Sequence, residues 1–132
     1  MAVLTCIVVT PENVALESEA DFVALPLFDG EIGIGRDHTP MIGRLGFGEM
    51  RIRNSQGESR YYLDGGFVQV ADNVISVLTS RAVPASDLDV GAARKQLEVA
   101  LTKPIQTDEL LAIRDREIGQ ARAQIRVGNR RS

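Results

Sequence analysis

The sequence is poor in the residues that most often carry chemistry. Tryptophan is absent, and histidine and cysteine occur once each among 132 residues. The lone Cys6 excludes an internal disulfide framework and any metal site built from several cysteines, and it fits a reducing, cytosolic setting. With His38 the single imidazole, acid–base and metal chemistry have few parts, so an enzyme is the weaker reading. No stretch approaches the ~18–20 apolar residues of a membrane-spanning helix. No basic-then-apolar secretory signal opens the chain. What is present is an ordinary globular composition, 44% hydrophobic and 25% charged, with a formal net charge of −3. The length suits one domain, or a small domain with an appendage.

The charge is unevenly spread. Residues 1–84 hold six basic and eleven acidic side chains, a net −5, and residues 85–132 hold nine basic and seven acidic, a net +2. From Arg114 onward the basic residues are Arg114, Arg116, Arg122, Arg126, Arg130 and Arg131, against Asp115 and Glu117. An acidic body thus carries a basic tail able to seek an acidic partner.

The texture also changes near Pro84. Before it, short β-prone runs alternate with turn residues. Met1–Thr10 is one such run, stopped by Pro11, and Val14–Leu25 is another, stopped by Pro26. Met50-Arg51-Ile52-Arg53 has period 2, with Met50 and Ile52 directed inward. Asn54-Ser55-Gln56-Gly57 and Asp72-Asn73 read as turns. Asp64-Gly65-Gly66 reads as a hairpin, because glycine supplies φ > 0 without steric cost. Strands at this spacing predict a β-sandwich or barrel of roughly eight to ten short strands.

After Pro84 the period is helical. Ser86 with Asp89 three residues on fits a capping pattern, and Val90, Ala93, Leu97 and Ala100 fall on one face. Thr102-Lys103-Pro104 breaks that helix. Thr107, followed by Asp108 and Glu109, opens a second one, striped by Leu111, Ile118, Ala121 and Ile125 and ended by Gly128-Asn129. Two amphipathic helices with a short connection make an antiparallel hairpin. The stripes are thin and alanine-rich, which predicts marginal docking. The fold expected is therefore α+β: a β body, sandwich or barrel, over residues 1–84 and a two-helix hairpin over residues 85–132.

Motifs for chemistry are few. Gly33-Ile34-Gly35 lacks the third glycine and the βαβ setting of a dinucleotide loop, and Gly43–Gly48 lacks the Lys-Ser/Thr of a phosphate loop. Strand bends explain both. His38 has Asp37 beside it but no ligand at metal spacing, so a structural hydrogen-bonding role is favoured. Cys6, inside an apolar run, reads as an inert hydrophobe. The arginine-rich second helix has no interleaved aromatics, which argues against nucleic acid, and its stripe is too narrow for membrane insertion.

The order of residues adds to this. Leu25-Pro26, Asp29-Gly30-Glu31-Ile32-Gly33-Ile34, His38-Thr39-Pro40-Met41-Ile42, Leu45, Gly48-Glu49-Met50-Arg51-Ile52, Gly65-Gly66-Phe67, Val70, Asn73-Val74, Val77-Leu78 and Leu88-Asp89 occur in sequence along the chain. This ordered set resembles the epsilon chain of F-type ATP synthases. The resemblance implies a non-catalytic rotor subunit on the cytoplasmic face of the bacterial plasma membrane, peripheral to it. The resemblance also implies that residues 1–84 form an antiparallel β-sandwich of about ten short strands, which would bind the gamma chain and rest on the ring of c chains, with the turn at Asp29, Glu31, Ile32 and Gly33 near the loops of that ring. The helices would lie against the sandwich or extend along gamma to the alpha and beta chains and obstruct hydrolysis. Arg114, Arg116, Arg122 and Arg126 would then meet an acidic segment of the beta chain. Some bacterial relatives bind ATP through Ile/Leu-Asp-x-x-Arg-Ala. Here Leu88 and Asp89 are followed by Ala92 where the arginine should stand, and Arg94 comes two positions late, about 200° round the helix. That departure argues against ATP sensing, and no cofactor is expected. Two other readings remain open on the residues: a free-standing adaptor docking an acidic protein, and a small enzyme using His38 with Asp37.

Overall fold

A computed structural model describes residues 3–130. Met1, at the head of the first expected strand, and Arg131, in the basic tail, lie outside the described residues. Eight strands come first: β1 Leu4–Val9, β2 Val14–Ala20, β3 Phe22–Leu27, β4 Gly30–Gly35, β5 Met41–Asn54, β6 Gly57–Ala71, β7 Val74–Leu78 and β8 Ala82–Pro84. A 3₁₀ turn at Ala85–Asp87 leads to α1 (Val90–Leu101) and α2 (Asp108–Asn129). The strands run in the order β2-β1-β7-β6-β5-β3-β4, with β8 added to β6. The pairs are antiparallel except β1/β7, which is parallel.

Alternation decides which side chains meet. Leu4, Cys6 and Val8 of β1, Met50 and Ile52 of β5, and Ile75 and Val77 of β7 point to one side and are buried. They join Val23, Leu25, Ile34 and Leu63 in a single cluster. Strands from both ends of the hydrogen-bonded path feed this cluster, so the sheet folds over on itself as a sandwich. Each fully buried aliphatic side chain contributes about 1.5–3 kcal/mol.

Among the described residues eight strands form, against about ten expected; β6 joins the two segments on either side of Asp64-Gly65-Gly66, which read as separate strands. The Asp64-Gly65-Gly66 hairpin is not formed. Gly65 (φ 76°) and Gly66 (φ 114°) lie inside β6, which stays in register with β5 on both sides of them. Left-handed glycines serve here to let backbones approach: a Cβ at Gly66 would fall on the Leu78 carbonyl. The run read as Val14–Leu25 is split by Asp21 into β2 and β3, and Pro26 lies within β3. Pro26 sits where the β3/β5 register shifts, between Ala24 and Leu27, where a ladder donor is not required. The turns at 54–57 and 72–73 form as expected, with Asp72 and Asn73 both at positive φ.

The helical half follows its pattern with two differences. Ser86 belongs to the 3₁₀ turn and caps nothing. Asp89 is the α1 N-cap, its carboxylate accepting the Ala92 amide at 2.9 Å. The extended Leu88 between them turns its side chain onto the sandwich. Thr107 caps α2 as expected, accepting the Leu110 amide at 3.1 Å. In α2, Ile118 and Ala121 are buried but Leu111 is exposed. Ala123, Gln124 and Val127 are buried as well, because α2 has a second covered face. It packs on α1 along one side and on β5 and β6 along the other.

Candidate functional site

The expected ring-facing turn is the tip of the β3–β4 hairpin. Leu27 pairs with Gly30, which leaves Phe28 and Asp29 as the two-residue loop. Asp29 and Glu31 are exposed, and Glu31 accepts a hydrogen bond from Arg51 Nη2 at 2.8 Å. Ile32 and Gly33 play other parts: Ile32 packs against the core, and Gly33 is the seat of the Phe22 ring, into which a Cβ would run at 2.6 Å. Phe28 projects from the tip with the Arg44 guanidinium 4.3 Å above its ring.

The four helix arginines separate. Arg114 turns back to α1, donating from Nε to the Ala100 carbonyl at 3.2 Å, where it satisfies an end-of-helix acceptor. Arg116, Arg122 and Arg126 are exposed and line one side of a cleft of about 760 Å³ between α2 and the β5/β6 bend, with Arg44 and Asp64 opposite. The nucleotide positions are occupied by structural duties. Leu88 packs with Tyr62, Ala123 and Val127, and the Asp89 carboxylate is committed to its cap. Arg94 is exposed on α1. His38 Nδ1 lies 2.7 Å from the Thr39 carbonyl, and Asp37 is turned away from it toward Asn73, whose Oδ1 accepts the Asp37 amide at 2.7 Å. Cys6 is fully buried, and burial pushes its thiol pKa up to about 12, so no thiolate forms near neutrality.

Sequence reasoning missed the contacts that hold the hairpin down. Tyr62 is fully buried beneath α2 and donates its hydroxyl to Asp64 Oδ1 at 2.6 Å. Burial, then the Asp64 hydrogen bond and charge, push the phenol pKa up. Asp64 also accepts Gln120 Nε2 from α2 at 3.1 Å and the Ser80 hydroxyl at 3.2 Å. At the far end of α2, Glu49 (9% exposed) meets Arg60, Arg51 and Arg130. Burial alone would lower the Arg51 guanidinium's pKa, but Glu31 and Glu49 hold it above its ordinary value. One signal for this face was available: Phe47, Tyr62 and Val83 are apolar at strand positions facing away from the main core. Among the described residues no buried side-chain nitrogen or oxygen lacks a partner.

This geometry offers docking surfaces, with a β-sandwich, a capping two-helix arm and arginines along the seam. The class is thus a structural and binding module. Residues 3–85 match the family model described as ATP synthase, Delta/Epsilon chain, beta-sandwich domain. The chain is 51% identical over 124 residues to the ATP synthase epsilon chain of Rhodopirellula baltica, covering 94% of this chain and 97% of that one. It is 29% identical over 130 residues to the sodium ion specific ATP synthase epsilon chain of Propionigenium modestum, covering 96% and 94% of the two. In fold it is similar to a chain of the Euglena gracilis mitochondrial ATP synthase, with TM-score 0.83 and 20% identity over 93% of this chain and 79% of that one. The chain belongs to the epsilon chains of F-type ATP synthases, non-catalytic subunits of that complex.

Proposed function

We propose that this chain works in the rotor of an F-type ATP synthase, coupling ion-driven rotation to ATP synthesis through its sandwich and restraining ATP hydrolysis through its hairpin. The sandwich binds the gamma chain and rests on the loops of the c-ring, with Asp29 and Glu31 at the tip nearest those loops. Torque passes best through a closely packed body, and the single large cluster of the sandwich supports that role. The complex places the chain peripherally on the cytoplasmic face of the plasma membrane, and no described helix is long and apolar enough to cross it.

The observation that carries the regulatory half is the thinness of the hairpin's seat. Its apolar contact with the body centres on Tyr62, Ala123 and Val127, with Phe47, Val83, Ala85 and Leu88 around them. Two packings separated by a few kcal/mol are what a movable arm requires. When extended toward the alpha and beta chains, the arm presents Arg116, Arg122 and Arg126 to an acidic segment of beta. Arg114 joins them only if it leaves the α1 carbonyl. Committed Leu88 and Asp89 and the missing arginine at Ala92 support regulation without ATP sensing. The test is truncation after Pro84 in the assembled enzyme. ATP hydrolysis should rise several-fold with assembly retained, and unchanged hydrolysis would refute the inhibitory arm.

A further inference from the structure

A helix leaves its last carbonyls without internal partners. The α2 terminus solves this with a side chain from the sandwich. Arg60 of β6 donates from Nη2 to the Val127 carbonyl at 2.8 Å and from Nη1 to the Arg130 carbonyl at 3.2 Å. Its Nε donates to Glu49 Oε2 at 2.8 Å, and the pair is nearly buried, 12% and 9% exposed. The guanidinium fork is suited to such multiple bonding. Glu49 Oε1 takes the Arg130 guanidinium, so the body grips α2 by both its backbone and a side chain.

The same oxygen has a second claimant. Arg51 Nη1 stands 3.5 Å from Glu49 Oε1, held back because Arg51 Nη2 is bonded to Glu31 Oε1 at 2.8 Å. Three guanidiniums therefore share two carboxylates. If Glu31 is drawn away, Arg51 turns fully to Glu49, and three positive groups crowd one carboxylate. Arg126 lines a second cleft with Glu31, Glu49, Arg51 and Arg130, and it adds to the positive field there. Arg130, at the end of the helix and 45% exposed, is the least anchored of the three and gives way.

We propose that the chain Glu31–Arg51–Glu49–Arg60/Arg130 is a latch on the hairpin that loosens when the β3–β4 tip engages a partner group able to take the Glu31 carboxylate, a basic or hydrogen-bond-donating loop. Arg60 and Glu49 are its positioning residues and Arg51 its competitor. The latch rests on the reading of the hairpin as a movable arm.

The experiment is hydrogen exchange on the purified full chain, following α2 amides 118–129 with the core-strand amides as the folding control. Arg60→Ala should speed α2 exchange by at least about tenfold, since it removes a cap and leaves a buried carboxylate half-paired. Arg60→Lys, which keeps the charge but not the fork, should show most of that change. Glu31→Gln should speed it by about threefold, the scale of a partly exposed ion pair, and should do nothing in an Arg51→Ala background. Unchanged α2 exchange in both Arg60 variants would overturn the cap. Equal effects of Glu31→Gln in the two backgrounds would overturn the relay. If exchange responds as expected while truncation leaves hydrolysis unaltered, the latch stands and inhibition falls.

Discussion

The sandwich and the hairpin share one chain but are secured by different physics. Fifteen buried residues from seven of the eight strands form the cluster inside the sandwich, whereas three buried residues form the one between α2 and the sandwich. The second seat is made up by polar anchors, Gln120 on Asp64 at one end and Arg60 on the α2 carbonyls at the other. Apolar burial is non-directional and resists local opening, while hydrogen-bonded anchors can be exchanged for others. The contrast suits a stiff body with a removable arm.

The largest effect should come from the body. Leu63→Ala in the main cluster should cost about 2–5 kcal/mol, read as a lower urea midpoint. Val127→Ala removes part of a much smaller seat and should cost no more than about 2 kcal/mol. It should loosen α2 while the sheet signal keeps its midpoint. Equal losses would mean that the two regions melt as one unit.

Alkali offers a way to weigh both regions at once. Cys6 in the body and Tyr62 under α2 are acids whose folded pKa values are raised, so the stability they contribute is complete below their unfolded values. It is lost as pH rises, because the unfolded chain releases protons first. For Cys6 the window opens near 9.0 and closes at about 12, with a limiting slope of about 1.4 kcal/mol per pH unit. Cys6→Ala should flatten the decline at the start of that range, and Tyr62→Phe should flatten it further up. A stability curve flat to pH 11 would contradict the dry core.

The smallest effect concerns the arm in the complex. Charge reversal of Arg122 and Arg126 should raise ATP hydrolysis in the same direction as truncation but by less, because exposed pairs contribute only ~0–1 kcal/mol each. Added salt should reproduce part of the change. Deeper inhibition would contradict the assigned contact.

The two kinds of structure were legible in the sequence where periodicity is local. Alternation in Met50–Arg53 and the 3.6-residue stripe from Val90 to Ala100 gave the right faces. What escaped depends on partners remote in sequence. Gly65-Gly66 has a hairpin's composition, and only the approach of Leu78 explains why it bends a continuous strand. Ser86 is a good cap by type, but Leu88 must reach Tyr62, which moves the helix start to Asp89. Of the candidate site residues, Asp29 and Glu31 lie at an exposed tip and three of the four helix arginines line one cleft, placements that alternation and helical period make legible. Arg114 turns instead to a carbonyl on the other helix, a partner that no local pattern displays. Glu49 and Arg60 look like ordinary strand surface until α2 covers them.

The parallel pairing of β1 with β7 sets a timetable for biosynthesis. Thr5 lies beside Val74 and Val9 beside Leu78, so β1 is an interior strand awaiting a neighbour translated much later. Such long-range closure is slow relative to local structure. The growing polypeptide must carry β1 with one edge unpaired until β7 emerges. Once it does, the sandwich can shut while the arm is still being synthesised, and the nascent helices then settle onto a finished surface.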